Sequence, residues 1–184
     1  MNLKAVKIGF FLLLLFATSI TIAQKQILTP SENVVWKTFD TTAYSIQYPG
    51  DWELDKSGKM NTSFILFSPV MDANDQFKEN VNLLVQDLGE DKVDLTQYTD
   101  LTIGQIKKGL PNSTLLLSKR IKSETSEYQK MIYTGDQSTF HLQFEQYYRI
   151  MDGKAIVLTF SAEQSTFESY QELAERILNS FVIK

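Results

Sequence analysis

From Trp36 onward, apolar and aromatic residues recur at alternate positions in one short run after another, and this period of two constrains the fold more than any other feature of the chain. Trp36 to Phe39, Tyr44 to Tyr48, Trp52 to Leu54, Phe64 to Phe67 and Val81 to Val85 read as strands, broken by Pro49-Gly50-Asp51, by Gly58 and by a long loop from Pro69 to Asn80. Leu115 to Ile121, Tyr128 to Thr134, Phe140 to Ile150 and Ala155 to Ser161 continue the pattern. Helical spacing interrupts it only twice. Asp94 and Gln97 form an N-cap pattern, Leu95, Tyr98, Leu101 or Thr102, and Ile106 fall on one side, and Gly109 with Pro111 stops that helix. Gly104 costs this helix about 1 kcal/mol relative to Ala, so it must lean on packing. Ser165 and Glu168 read as a capping box for a second helix, whose Phe167, Tyr170, Leu173, Ala174, Ile177, Leu178 and Phe181 fall on one face. Strands, a helix, more strands and a last helix argue an α+β fold, an antiparallel sheet with helices packed on it.

One hairpin can be read in register. A two-residue turn at Asp152-Gly153 would pair Ile150 with Ala155 and put the apolar sets of the two strands on opposite faces. A three-residue loop, Met151-Asp152-Gly153, pairs Tyr148 with Ile156 and Phe144 with Phe160, and gathers the apolar residues on one face. The second register is the expected one. It leaves a mixed face carrying His141, Gln143, Glu145, Tyr147 and Arg149, with Thr159 and Ser161 on the partner strand. Tyrosine beside arginine is a combination enriched at binding hot spots, which makes His141, Gln143, Glu145, Tyr147, Arg149 and Thr159 the candidate binding residues. If a helix covers this face, Tyr147 and Val157 are its contacts and the polar residues form a rim.

The first 23 residues stand apart. Lys4 and Lys7 precede an apolar run from Ile8 to Ala17, and Thr21-Ile22-Ala23 ends in small residues before Gln24. This is the pattern of a cleaved signal peptide with its cut between Ala23 and Gln24. An uncleaved anchor would need about 20 apolar residues, more than this run supplies. Residues 24–35 then form a polar lead-in and 36–184 the domain. The leader holds two of the 18 basic residues and none of the 22 acidic ones, so the remainder is more acidic than the whole chain's net charge of −4. No basic surface for nucleic acid or anionic membrane is expected from that balance.

Composition narrows the chemistry further. With no cysteine and a single histidine, disulfides, thiolate metal sites, cysteine nucleophiles and His-rich metal centres are excluded. His141 has no Gly-x-Ser-x-Gly elbow or His-Glu-x-x-His motif to work with, and is expected to play no catalytic part. Asp87, Glu90, Asp91 and Asp94 gather carboxylates of the kind calcium takes, but their spacing is not that of an EF-hand loop, and Asp94 already caps a helix. No metal or other cofactor is expected, and Asp87, Glu90 and Asp91 remain the weak metal candidates. Trp52 is expected to pack in the core.

The stretch Tyr44-Ser45-Ile46-Gln47-Tyr48-Pro49-Gly50-Asp51-Trp52, an aromatic-alternating strand ending in Tyr-Pro and then Trp, resembles the opening of the PsbP-like domain. Phe64 to Pro69, Glu79 to Val85, a first helix, paired strands and a last amphipathic helix ending in Phe181 follow the order of that family, which takes in PsbP and DcrB-type exported bacterial domains. The resemblance implies an antiparallel sheet sandwiched between helices, α/β/α, used as a binding or accessory module in the periplasm or outside a Gram-negative cell. It carries over no metal-binding or partner-binding residue. Three functions are therefore open: a non-catalytic module that binds a protein or envelope component, a small-ligand or lipid carrier with a pocket between sheet and helix, and a hydrolase built on carboxylates.

Overall fold

The computed structural model describes residues 35–71, 73, 75–89, 93–124 and 126–184. The leader, its cleavage point at Ala23 and Gln24, most of the lead-in, and the metal candidates Glu90 and Asp91 lie outside them.

Every strand read from the alternation forms. The strands β1 (Trp36–Asp40), β2 (Tyr44–Pro49), β3 (Glu53–Asp55), β4 (Thr62–Phe67) and β5 (Asn80–Asp87) lead to helix α1 (Leu95–Gly109). Then come β6 (Thr114–Lys122), β7 (Glu127–Gln137), β8 (Phe140–Met151) and β9 (Lys154–Glu163), helix α2 (Phe167–Asn179) and a two-residue strand β10 (Val182–Ile183). Seven strands make one antiparallel sheet in the order β3-β4-β5-β9-β8-β7-β6. The other three, β1-β2-β10, make a small sheet in which Val182 and Ile183 pair with Ser45 and Tyr44. Asp94 caps α1 as expected: its carboxylate accepts from the backbone of Thr96 and Gln97, while the Gln97 side chain reaches back to the Asp94 N–H.

Two apolar cores lie on opposite faces of the large sheet. One joins Phe64, Leu66, Val81, Leu83, Leu158 and Phe160 to Tyr170, Ala174, Ile177 and Leu178 of α2, and Ile46, Tyr48 and Trp52 close it from the side of the small sheet. The other sets Tyr98 and Ile106 of α1 on Met131, Tyr133, Leu142, Phe144, Tyr148 and Val157. This is the α/β/α arrangement. Trp52 is buried in the first core.

The β8–β9 register departs from expectation. Ile150 pairs with Ala155, Tyr147 with Leu158 and Phe144 with Ser161, across a two-residue turn whose Asp152 and Gly153 have φ of 51° and 71°. Positive φ at both central residues defines the mirror-image turn that matches strand twist, and Asp-Gly is its usual sequence. The three-residue loop was expected in order to gather the apolar residues on one face. With a helix on each face no such gathering is needed: β8 sends Leu142, Phe144 and Tyr148 towards α1, and β9 sends Ile156, Leu158 and Phe160 towards α2. A second departure is the start of α2. Thr166, not Ser165, is the N-cap residue, and it makes no side-chain cap.

Candidate functional site

The β8 residues singled out from the sequence share the α2 side of the sheet, but they do not form one cluster. His141 sits beside the β7–β8 turn, paired with Asp136, about 27 Å along the strand from Arg149 at roughly 3.4 Å per residue. Its ring is exposed, with Nδ1 against Asp136 Oδ1. Asn112 holds the other Asp136 oxygen, and the amide and His141 together keep that carboxyl below its usual range. Among the described residues no hydroxyl bonds to the second ring nitrogen. Gln143 lies between Thr134 and Ala162. Thr159 belongs to the opposite face. The corrected register pairs it with Gln146, whose Nε2 donates to its Oγ1 at 3.1 Å on the α1 side.

Glu145, Tyr147 and Arg149 do come together, and with them a residue the sequence did not point to, Lys130 of β7. Strand pairing sets Lys130 opposite Tyr147. Its Nζ lies 2.7 Å from Glu145 Oε1 and 3.1 Å from Glu175 Oε1 of α2, and donates to the Tyr147 hydroxyl at 3.3 Å. The ammonium also stands 5.3 Å from the centre of the Tyr147 ring. Glu145 is 0% exposed and its Oε2 has no polar partner. Desolvation pulls the Lys130 ammonium down, but the two carboxylates outweigh it and hold the group charged well above the ordinary lysine range. Burial raises the Tyr147 phenol, which stays protonated as a hydrogen-bonding group.

Beyond Tyr147 the sheet and the end of α2 part to leave a hollow of about 100 Å³, lined by Tyr128, Tyr147, Arg149, Leu158, Leu178 and Phe181 among others. The Tyr128 and Tyr147 rings lie 5.3 Å apart, tilted by 36°. Arg149 is half-buried and makes no hydrogen bond or ion pair among the described residues. Sequence reasoning reached Tyr147 and Arg149 through their residue types. It missed Tyr128, Lys130 and the α2 wall, although the Asp-Gly turn signal at Asp152-Gly153 carried the register that brings Leu158 beside Tyr147.

A second cleft, of about 80 Å³, opens under α1. Its wall holds only uncharged groups, with Asn82, Gln137, Gln146 and Thr159 above Leu84, Tyr133 and Phe144. Gln146 Oε1 is buried there without a partner. A third polar group lies at the start of α2, where buried Glu79 accepts from the hydroxyls of Ser68 at 3.1 Å and Thr166 at 2.7 Å. No group of three or more His, Asp or Glu side chains among the described residues could hold a metal ion. Asp87 instead accepts from the Gly89 N–H at 2.8 Å. No described helix is long and apolar enough to cross a membrane.

No family model matches the sequence, and no curated protein matches it. Solved structures do. The chain is similar to the cyanobacterial PsbP (CyanoP) of Synechocystis sp. PCC 6803, with 17% identity and a TM-score of 0.58 over 85% of this chain and 97% of that one. It is similar at 10% identity, TM-score 0.58, to PA94 of Pseudomonas aeruginosa, a protein of unknown function, over 81% and 97% of the two chains. LpqN of Mycobacterium tuberculosis, involved in cell envelope biogenesis, matches at 11% identity and a TM-score of 0.56 over 83% and 92%. At these identities the likeness speaks for the fold alone. The antiparallel sheet and the helix on each of its faces are those of a PsbP-like α+β fold, and that is the fold of this chain.

Proposed function

We propose that the protein is an exported, non-catalytic accessory module of the bacterial cell envelope, which works by binding a protein or envelope component at the hollow beside α2. The observation that carries this reading is Arg149, a half-buried guanidinium without a protein partner, set among Tyr128 and Tyr147. Arginine and tyrosine in a partly desolvated recess are the residue types on which binding energy concentrates. Export is supported by the basic start, apolar run and Ala23-Gln24 junction of the leader. An envelope setting is supported by the likeness to LpqN. A non-catalytic role is supported by the isolation of His141 from any bonded hydroxyl.

Affinity capture from the native envelope tests it. Wild type and a Lys108→Glu control on α1, across the sheet from the hollow, should retain the same partner, and Arg149→Glu should lose it. Capture by Arg149→Glu equal to wild type would remove the hollow from the account. The carrier reading has one observation of its own, the uncharged cleft under α1. A native mass spectrum showing a retained small molecule, released by Gln146→Trp, would favour it.

A further inference from the structure

We infer that the hollow beside α2 recognises a carboxylate carried on an apolar group, an inference that rests on the hollow being the point of contact. The charge around it makes the case. Lys130 is matched by Glu145 and Glu175 and also engages Tyr147, so nothing in its environment calls for a further anion. Arg149 is different: it is half-buried, it lines the recess, and no carboxylate of the described chain reaches it. A guanidinium is a planar fork of N–H donors that matches a carboxylate through two parallel hydrogen bonds. One such fork suits a single negative charge. A phosphate would ask for a second cation or a nest of backbone N–H groups, and the neighbouring Lys130 is already committed.

The remainder of the lining defines what the carboxylate is attached to. Ile156, Leu158, Leu178 and Phe181 give an apolar surface, with Asn179 at the end of α2 as a further amide. Its volume of about 100 Å³, well above the roughly 10–15 Å³ that admits a single water, has room for a short apolar segment and not for a bulky ring system. A medium-chain acid such as octanoate presents such a segment beside its carboxylate, and so does the last apolar side chain of a peptide beside its terminal carboxylate. Both sources share the chemistry.

Calorimetric titration of the full chain separates them. The probes are octanoate, 1-octanol, octylammonium, N-acetyl-leucyl-leucine and the C-terminal amide of that dipeptide. Octanoate should bind at least ten-fold more tightly than octanol, and octylammonium should not bind. Arg149→Met, which keeps the apolar stem, should weaken octanoate by ten-fold or more with the melting temperature unchanged, and Arg149→Lys should recover part of the loss. Binding of the free dipeptide acid but not of its amide assigns the site to peptide ends; octanoate alone assigns it to free acids. Equal affinity for octanoate and octanol, unchanged binding by Arg149→Met, or no binding of either acid would overturn the inference. If both acids fail while envelope capture still depends on Arg149, the hollow remains the contact point and only the carboxylate is wrong.

Discussion

Glu145 gives up all contact with water, and Lys130 is the group that makes this tolerable. Taking a carboxylate out of water costs several kcal/mol, which a close ammonium offsets only while it is present. Lys130→Met should therefore destabilise the protein by about 3–5 kcal/mol, whereas Lys130→Met combined with Glu145→Leu should return it to near wild type or above. Urea unfolding of the two variants checks this, and a double variant as unstable as the single one would contradict it. Glu79 offers a pH-dependent case. Burial pushes its carboxyl above the usual 4.5, the Thr166 hydroxyl opposes the rise, and the charge of Asp75 adds to it. A carboxyl raised in the folded state contributes stability that is present below its unfolded value and lost as pH climbs through the folded one. At neutral pH the raised carboxyl of Glu79 is thus a cost to the fold. Glu79→Gln should melt higher than wild type at pH 7, with the gain shrinking towards pH 4.

At the level of elements, α1 contains its own correctable flaw. Gly104 lies inside the helix with nothing within 4 Å of where a Cβ would stand, so Gly104→Ala should stabilise by about 0.5–1 kcal/mol with no change of structure. Thermal melts decide it; a loss of stability would mean that the site is not open. Element type was legible in the sequence because alternation and helical spacing are local, and so was the Asp94–Gln97 box, since every group it needs lies within four residues. What escaped depended on distant partners. Ser165 and Glu168 have the local pattern of a cap, yet the helix starts at Phe167 and the Thr166 hydroxyl donates to Glu79, 87 positions away. The same holds for the β8–β9 face. Whether apolar residues should collect on one side depends on how many helices cover the sheet, and only the assembled layers supply that number. The α2 hollow was half legible for this reason: Tyr147 and Arg149 stand on the strand that was read, whereas Tyr128 and Leu178 reach it from elements whose placement was not.

In the molecule as a whole, the large sheet is a partition between two cores, and the small sheet is what joins its beginning to its end. Val182 and Ile183 lie along β2, the Ser180 hydroxyl donates to Gln47 O across 133 positions, and Lys184 reaches Asp40 across 144. Pairings of such long separation are entropically late, because the loop between them must be closed before they reward the chain. The β1–β2 hairpin can form early, but as a two-stranded ribbon it has little independent stability. Removing residues 182–184 should leave the amides of β5, β8 and β9 as protected from hydrogen exchange as before, while those of β1 and β2 exchange faster. During synthesis from the N-terminal side this hairpin therefore stays provisional until Val182 and Ile183 emerge, and β10 acts as a latch that closes on β2 only after every strand between them has been made.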